Sequence, residues 1–549
     1  MNFFLRLVLT LILFPTILAA DNYPRNERID ILHYTFKITL DDQTDEIMGE
    51  TTIDVRFLAD GITELGLDLI GKASEQTGMH VGSVFRNEKS IAFSHTNNRI
   101  VIKLMSPSQA GEHRSYSISY RGIPADGLII SQNKYNERTF FGDNWPDRAR
   151  HWLPTVDHPS DKATCDFIII APNHYQVIGN GSLREETDLD DHTRLTHWHE
   201  AVPIPTKVMV IGVARFAVET VFTYEGIPIQ SWVYPQDREP GFYDYAQAIR
   251  VIQFFSSHIG PYPYEKLANV QSKTRYGGME NAGNIFYSER SVTGKRRSES
   301  LIAHEVAHQW FGDSVTEADW HHIWLSEGFA TYFTQLYMEF TYGRDKMIGS
   351  ETGERRSMKG SRQRVIKYFN ENPASPIVDT TITDLNLLLN ANSYQKGGWV
   401  LHMLRHVVGD EAFWQGIREF YKQFRDSNAL TEDFQQKMEE ASGKELSWFF
   451  RQWIYQPGHP KFEGSWKFDE NKKELVVILN QTQETGVLFT MPVDLGIYTE
   501  DEGVPRIEVL KINQKKHDFT FPVDKKPKKV KLDPNTWLLL EADFKEKLN

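Results

Sequence analysis

The sequence predicts a multidomain α+β protein with an all-β domain first, a mostly helical domain next and a small β-sandwich last. Apolar and polar residues alternate from Ile31 to about Val218, helical spacing of apolar residues begins at Phe242, and strand-like runs resume after Pro460. A chain of 549 residues is long enough for about three domains. We place the domains at residues 21–228, 229–455 and 456–549.

Residues 1–20 differ from the rest of the chain. Arg6 precedes an apolar run from Leu7 to Leu18, and two alanines follow. The run is too short to cross a bilayer comfortably, which takes about 20 residues. We interpret it as a secretory signal peptide, so we expect a periplasmic or secreted protein with no stable membrane span after cleavage. The alternative is an uncleaved segment that anchors the protein to a membrane.

Bulk composition excludes several classes of function. The net charge of −13 argues against a nucleic-acid partner. Cys165 is the only cysteine, so an intramolecular disulfide and a zinc site held by thiolates are both excluded. A basic run at 525–529 is interpreted as a solvated turn.

In the first domain, alternation is clearest at 34–40 and 51–57. Further strands are expected in segments that share this pattern: 100–104, 116–120, 167–171, 175–178, 195–199 and 208–218.

The second domain carries predicted helices with recognisable ends. One starts near Phe242 and stops at Gly260-Pro261, and another is capped by Thr431 and closed by Gly443. Two more are expected at 397–408 and 411–424. In the third domain, strands are expected at 475–479, 491–498, 507–512 and 537–540.

A metal-binding pattern lies at the centre of the helical domain. His304 and His308 are four residues apart, so both rings can reach one point from the same helix face. Glu305 between them is a candidate general base, and Glu327, eighteen residues beyond His308, offers a carboxylate. Two imidazoles and a carboxylate leave one position of a tetrahedral zinc open for water, as catalysis requires.

The helix around this pattern is apolar on nearly all sides, so it is expected to be buried. Ser298 or Ser300 can cap it and Gly312 can end it. The alternative is a core helix whose histidines are satisfied by hydrogen bonds alone.

A glycine pair precedes the metal-binding pattern, in the segment Gly277-Gly278-Met279-Glu280-Asn281. Paired glycines allow a substrate backbone to approach and bond as a strand does, and a carboxylate beside them can bind an ammonium ion. The alternative is an ordinary Gly-Gly turn with a solvated glutamate.

Taken together, these motifs resemble the aminopeptidase N and leukotriene-hydrolase family of zinc metallopeptidases. The resemblance lies in four segments: Gly277–Asn281, His304-Glu-x-x-His308, 324–330 around Glu327, and 394–397. The segments 149–154, 177–181, 203–205 and 260–264 resemble the family as well, in the same order.

The resemblance implies a saddle-like β domain, a thermolysin-like catalytic domain and a small β-sandwich, without the large C-terminal helical domain that many members carry. It also implies one zinc ion per chain and peptide substrates with a free N-terminus. His304, His308 and Glu327 would bind the zinc and Glu305 would be the general base. Tyr394 would stabilise the oxyanion, and Glu280 would bind the free amine.

The chain departs from the family at several positions. Relatives often supply a glutamine to the amine site from the β domain; here Asp143 or Asn144 is expected to replace it. Asp313 and Ser326 stand where relatives often have asparagine, and His321 and His322 are interpreted as loop residues.

The sequence favours a zinc aminopeptidase. A zinc endopeptidase and a catalytically silent peptide-binding protein are the alternatives.

Overall fold

The computed structural model describes residues 22–72, 77–189, 191–350, 356–500 and 503–547. The predicted fold class is confirmed: a β domain, a helical domain and a β-rich domain follow one another along the chain. The predicted signal peptide lies outside the described residues. Within the described residues, no helix has both the length and the apolar character needed to cross a membrane. No helix follows Lys461 in the described part of the chain.

The N-terminal domain is made of strands whose apolar residues face a common core. Its strands are β1 (Ile29–Thr39), β2 (Ile47–Phe57), β3 (Glu64–Asp68), β4 (Gly78–Arg86), β5 (Lys89–Ser90), β6 (Phe93–Thr96), β7 (Arg99–Lys103), β8 (His113–Ile123), β9 (Leu128–Gln132), β10 (Arg138–Gly142), β11 (Lys162–Pro172), β12 (Gln176–Gly179), β13 (Ser182–Asp188), β14 (Thr193–Pro205) and β15 (Ile211–Ala214).

The largest sheet of this domain has the strand order β13-β14-β11-β1-β2-β8-β4-β5. Strands β1 and β11, which are neighbours in this sheet, run parallel with Phe36 opposite Phe167. Buried and partly exposed residues alternate along β1, β2 and β11 as the sequence pattern predicted, so one face packs on the core. The predicted single strand at 208–218 is wrong: a 3₁₀ turn (Thr206–Val208), β15 and the start of a further strand divide it.

The middle domain joins a five-stranded sheet to a set of helices. Its elements are β16 (Ala217–Tyr224), β17 (Ile227–Val233), α1 (Arg238–Tyr245), α2 (Ala248–His258), β18 (Leu267–Ser272), β19 (Gly278–Met279), β20 (Asn284–Ser288), α3 (Glu299–His308), β21 (Val315–Glu317), α4 (Trp324–Tyr342), α5 (Arg344–Ile348), α6 (Met358–Glu371), α7 (Gly397–Val408), α8 (Asp410–Phe424), β22 (Ser427–Ala429), α9 (Thr431–Ser442) and α10 (Ser447–Trp453).

The five-stranded sheet has the order β16-β17-β18-β20-β19. Strand β16 therefore belongs to the sheet of the middle domain although it precedes the boundary placed at residue 229. The short strand β19 lies at the edge of this sheet, antiparallel to β20. An edge strand offers backbone groups to another extended chain.

Several predicted helix ends are wrong in detail. The helix from Phe242 to Ile259 is two helices, α1 and α2, and α3 ends at His308, four residues before Gly312. Thr431 lies inside α9 rather than capping it, because its hydroxyl is bonded to His322 and Trp324. Gly443 closes α9 in the left-handed conformation, as predicted.

The C-terminal domain packs a four-stranded sheet with a three-stranded sheet. Its strands are β23 (Lys461–Asp469), β24 (Glu474–Gln481), β25 (Met491–Tyr498), β26 (Arg506–Ile512), β27 (Lys516–Pro522), β28 (Lys529–Leu532) and β29 (Glu541–Glu546).

The predicted strand at 537–540 is wrong, because this apolar run is buried against a helix instead of in a sheet. The Trp537 ring stacks on His402 and His406 of α7 with centroids 4.7 and 4.8 Å away. His402 Nε2 lies 3.0 Å from the carbonyl oxygen of Thr536. The C-terminal domain is thereby docked on α7, the helix that follows Tyr394 in the chain.

Candidate metal centre and peptide site

The metal-binding pattern is carried by two buried helices that pack on each other. His304, Glu305 and His308 lie on α3, and Glu327 lies in the first turn of α4. Glu305, His308 and Glu327 are between 1% and 5% exposed. Buried groups of this polarity require compensation from hydrogen bonds or from a bound ion.

Three ligand atoms form a regular triangle. His304 Nε2 and His308 Nε2 each lie 3.3 Å from Glu327 Oε2, and the two nitrogens are 3.3 Å apart. Tetrahedral zinc with bonds of about 2.0–2.1 Å separates neighbouring ligand atoms by roughly 3.3–3.4 Å. The predicted trio is therefore brought together at the spacing that one zinc ion requires.

The bonding around this triangle also fits a metal. Glu327 Oε2 is buried and has no hydrogen-bond partner among the described residues. His308 Nδ1 lies 3.0 Å from Ser326 Oγ and 3.2 Å from the Phe311 carbonyl oxygen, so a proton held on Nδ1 would leave Nε2 as the atom that binds a metal. Two imidazole nitrogens and one carboxylate oxygen are a common donor set for catalytic zinc.

The electrostatics favour a cation at the same place. Burial raises the pKa of Glu305 to about 8, with Glu280 and Glu327 adding to the effect. Burial acts to lower the pKa of His308, but the Glu280 and Glu327 carboxylates outweigh it and raise that pKa to about 10. Three carboxylates thus crowd two imidazoles, and a divalent cation there would favour the ionised carboxylates and the neutral imidazoles.

Tyr394 reaches the triangle from a separate element. It lies in a π-helical turn (Asn392–Lys396) that leads into α7, and turns of this kind are frequent at functional sites. Its hydroxyl donates a 2.6 Å hydrogen bond to Glu327 Oε1. Burial, together with Glu327, raises the pKa of Tyr394 well above its usual range, so the hydroxyl remains a donor.

Two glycines allow this approach. A Cβ built on Gly328 would lie 3.0 Å from the Cα of Gly397, and one built on Gly397 would lie 2.9 Å from the Cα of Gly328. Gly328 follows Glu327 directly, and Gly397 lies three positions after Tyr394. The backbone contact between α4 and α7 therefore sets the distance between the tyrosine and the glutamate.

The segment 277–281 borders Glu305. Gly278 and Met279 form the edge strand β19, and a Cβ on Gly278 would lie 2.4 Å from Glu305 Oε1. Gly277 has no such restriction, since the nearest atom to its Cβ would be Leu301 Cδ1 at 3.8 Å. The Asn281 side chain is fully buried, and its amide has no hydrogen-bond partner among the described residues.

Glu280 lies beside the candidate metal-binding residues. One of its oxygens lies within 4.8 Å of ligand atoms of Glu305 and His308. It is only 5% exposed, burial raises its pKa, and no described side chain forms an ion pair with it. A buried carboxylate without a cation partner is suited to bind one from a ligand.

Asp143 and Asn144, the expected replacements for the family's glutamine, are bonded to residues outside the candidate metal triangle. Asp143 accepts hydrogen bonds from Arg148, Thr274 and Arg275. The Asn144 side chain is bonded to Thr206, Met209 and Trp152. Both are fully buried, so neither is available to a substrate amine, and the expected replacement for the family's glutamine is not supported.

His321 and His322 lie in a 3₁₀ turn rather than at the metal triangle. His321 Nε2 is 3.1 Å from the Ile382 carbonyl oxygen, and His322 Nδ1 is 2.8 Å from Thr431 Oγ1. Asp313 accepts a 2.9 Å bond from Gln309.

Two residues of the site were missed by sequence reasoning. Ser326 orients His308, as described above. Gln309 holds the 277–281 segment, because its amide nitrogen donates to the Glu280 carbonyl oxygen at 2.6 Å and its amide oxygen accepts from the Gly283 N–H at 2.7 Å. In the sequence, the only indication of these roles is that Ser326 directly precedes Glu327 and Gln309 directly follows His308.

Two protein-family models match segments of this chain. A model described as the peptidase family M1 domain matches residues 243–453, and one described as the peptidase M1 N-terminal domain matches residues 31–208.

Curated relatives carry aminopeptidase names. Glutamyl aminopeptidase of Bos taurus is 30% identical over 338 residues, covering 58% of this chain and 34% of that protein. Glutamyl aminopeptidase of Bitis rhinoceros is 26% identical over 518 residues, covering 85% and 54%. Probable aminopeptidase 2 of Sulfurisphaera tokodaii is 28% identical over 406 residues, covering 70% and 50%. This chain thus spans about a third to a half of the length of these relatives.

Among solved structures, a crystal structure of Legionella pneumophila aminopeptidase A in complex with aspartic acid matches with a TM-score of 0.79 and 17% identity. The match covers 97% of this chain and 61% of that one, and it shows a shared fold.

Proposed function

The chain belongs to peptidase family M1, and from this premise we propose that it is a zinc-dependent aminopeptidase that releases N-terminal residues from peptides. The proposal is supported by the 3.3 Å ligand triangle and by Glu280, a buried carboxylate without an ion-pair partner among the described residues that lies beside His308. The triangle suits a hydrolytic metal, and the carboxylate suits a free α-amine.

His304, His308 and Glu327 would hold the zinc. When bound there, zinc supplies a Lewis acid that polarises a carbonyl and lowers the pKa of a water. The remaining chemistry belongs to the side chains around it.

Glu305 is the general base. It lies between the two histidines on α3 and is buried. One of its carboxylate oxygens lies within 4.8 Å of ligand atoms of Glu280 and His308. It would take a proton from the attacking water and return it to the leaving amine. Tyr394 would donate a hydrogen bond to the carbonyl oxygen of the scissile bond as negative charge develops there.

The edge strand β19 and Glu280 would fix the substrate. Backbone groups of Gly278 and Met279 can pair with an extended peptide. The Glu280 carboxylate would bind the α-amine, which places the first peptide bond of the substrate at the metal triangle. Met279 is itself buried, so its contribution is through its backbone.

The test compares free and N-acetylated substrates. We expect hydrolysis of aminoacyl p-nitroanilides by wild type and little hydrolysis of their N-acetylated forms. Glu280→Gln keeps the volume of the side chain but removes its charge. It should lower kcat/KM for free-amine substrates by about tenfold to a hundredfold. The panel includes a glutamyl derivative, because two of the relatives are named glutamyl aminopeptidases.

Two other outcomes separate the alternatives. Equal cleavage of blocked and free peptides would identify an endopeptidase. Binding of peptides without hydrolysis of any substrate, with zinc loaded, would identify a silent peptide-binding protein.

We also propose that the protein is exported, on the basis of the apolar segment at residues 1–20. N-terminal sequencing of protein from fractionated cells tests this. A new N-terminus near residue 20 in an exported fraction supports cleavage, whereas an intact N-terminus in the membrane fraction supports an anchor.

A further inference from the structure

A cavity adjoins the candidate metal triangle at His304 and Tyr394. It has a volume of about 170 Å³, and Arg356 and Arg364 also line it. Its other lining residues are neutral and polar and belong to α4, to α6 and to the Tyr394 turn. No acidic residue of the described chain lines it.

The position of this cavity relates it to the leaving group of the reaction. Glu280 lies beside His308, and the cavity is lined by His304 but not by His308. A peptide whose amine is at Glu280 and whose first peptide bond is at the triangle would continue from the His308 side towards His304 and Tyr394. The residue after the cleaved bond would then enter this cavity.

The two arginines give the cavity a positive charge. Arg364 lies on α6 and is half-buried, and no described residue forms a hydrogen bond or an ion pair with its guanidinium. Arg356, in contrast, has partners, and its guanidinium donates a 3.3 Å bond to Ser300 Oγ. Burying part of an arginine without a counterion is unfavourable, and a planar guanidinium matches a carboxylate with two parallel hydrogen bonds.

We propose that Arg364 binds a carboxylate on the residue that follows the cleaved bond, and that the charge of Arg356 adds to the attraction. This inference rests on the proposed aminopeptidase function and adds a substrate class to it. The carboxylate has two sources: the side chain of an aspartate or glutamate in second position, or the C-terminus of a dipeptide. A cavity of about 150 Å³ accommodates a ligand as large as benzene, so either source fits.

The experiment uses matched peptides that differ only in this carboxylate. One pair has glutamate or glutamine in second position of a tetrapeptide amide with alanine elsewhere. The other pair is Ala-Ala with a free or an amidated C-terminus. We expect wild type to favour the carboxylate member of at least one pair by about tenfold or more in kcat/KM, and the pair that responds identifies the source.

Arg364→Gln should remove this preference and leave the neutral members within about twofold of wild type. Arg364→Lys should retain part of it, because the charge remains and the two-pronged geometry is lost. The matched control is Lys367→Gln on the same helix, an exposed position that does not line the cavity. This control should keep the wild-type preference.

Alanine p-nitroanilide separates this inference from the proposed function. Its leaving group carries no carboxylate, so Arg364→Gln should hydrolyse it as wild type does. Absence of p-nitroanilide hydrolysis in wild type overturns the aminopeptidase proposal. Hydrolysis without a carboxylate preference in either pair, or a preference that survives in Arg364→Gln, overturns only the inference drawn from the arginines.

Discussion

The Tyr394 hydroxyl donates its hydrogen bond to Oε1 of Glu327, the carboxylate whose other oxygen completes the ligand triangle. One tyrosine thus contacts both the metal-binding group and, by its position beside His304, the space where a substrate carbonyl would lie. The candidate metal site and the predicted oxyanion donor are therefore joined by a hydrogen bond.

Tyr394→Phe is predicted to lower kcat/KM by roughly a hundredfold to a thousandfold while the protein stays folded, because a donor to the developing oxyanion is lost. Removing a hydrogen bond to a metal-binding carboxylate typically also weakens metal binding about tenfold to a hundredfold. Assays in zinc excess, with bound metal measured after dialysis, separate the two effects. Wild-type turnover in the variant would show that the hydroxyl serves only to hold Glu327.

Removal of the metal is predicted to lower the Tm of the protein. Ligand binding to the folded state alone contributes about 2.7 kcal/mol when the ligand is at a hundred times its Kd, which corresponds to a shift of several degrees. Thermal unfolding with a chelator and with added zinc measures it. His304→Ala is the control and should unfold at the same temperature in both. If wild type also responds to neither treatment, the triangle is not a metal site.

Gly278→Ala is predicted to reduce kcat/KM by about tenfold to a hundredfold, because its Cβ would displace the Glu305 carboxylate from 2.4 Å. Gly277→Ala, in which the new methyl group meets nothing closer than 3.8 Å, should remain within about twofold of wild type. Steady-state kinetics and zinc content of both variants are the measurements. Equal losses in the two would point to the flexibility of the segment rather than to contact with Glu305.

Asp533 is predicted to make the stability of the C-terminal domain depend on pH. Burial raises the pKa of Asp533 to about 6, although the N–H groups of Trp537 and Leu538 act against it. The folded state therefore holds this proton more tightly than the unfolded state, where the pKa is about 3.9. Its stabilising contribution is fully present below pH 4 and is lost as the pH rises through 6, by up to about 3 kcal/mol.

Unfolding of wild type and Asp533→Asn between pH 4 and 7 tests this point. The asparagine cannot ionise, so wild type should lose stability relative to the variant as the pH rises. The absolute stability of the variant is not informative, because asparagine accepts only one of the two backbone hydrogen bonds. A constant difference across this range would place the ionisation of Asp533 outside it.

The sequence was most informative where chemistry and local geometry coincide. A spacing of four residues puts His304 and His308 on one face of any helix, so these two candidate metal ligands could be expected to lie together before the fold was known. The bounds of α7 and β25 were also predicted as the structure has them, since a glycine, a proline or a change of periodicity marks their ends.

Features that depend on tertiary packing could not be predicted. The apolar run at 537–540 fits a strand, but what buries it is α7, which is more than a hundred residues away in the chain. Ser326 and Gln309 act through partners that their local sequence does not specify. Half-buried arginines such as Arg364 are common on helices, so only its place beside the metal triangle gives it a candidate role.

The contact between Gly328 and Gly397 limits how this protein can diverge or be redesigned. Neither position can compensate for a larger residue at the other, because each is already the smallest residue and the obstacle is main chain. A chimaera that takes α7 from a relative must therefore bring a residue without a side chain at the crossing. Otherwise α4 and α7 would be pushed apart, and Tyr394 would lose its hydrogen bond to Glu327.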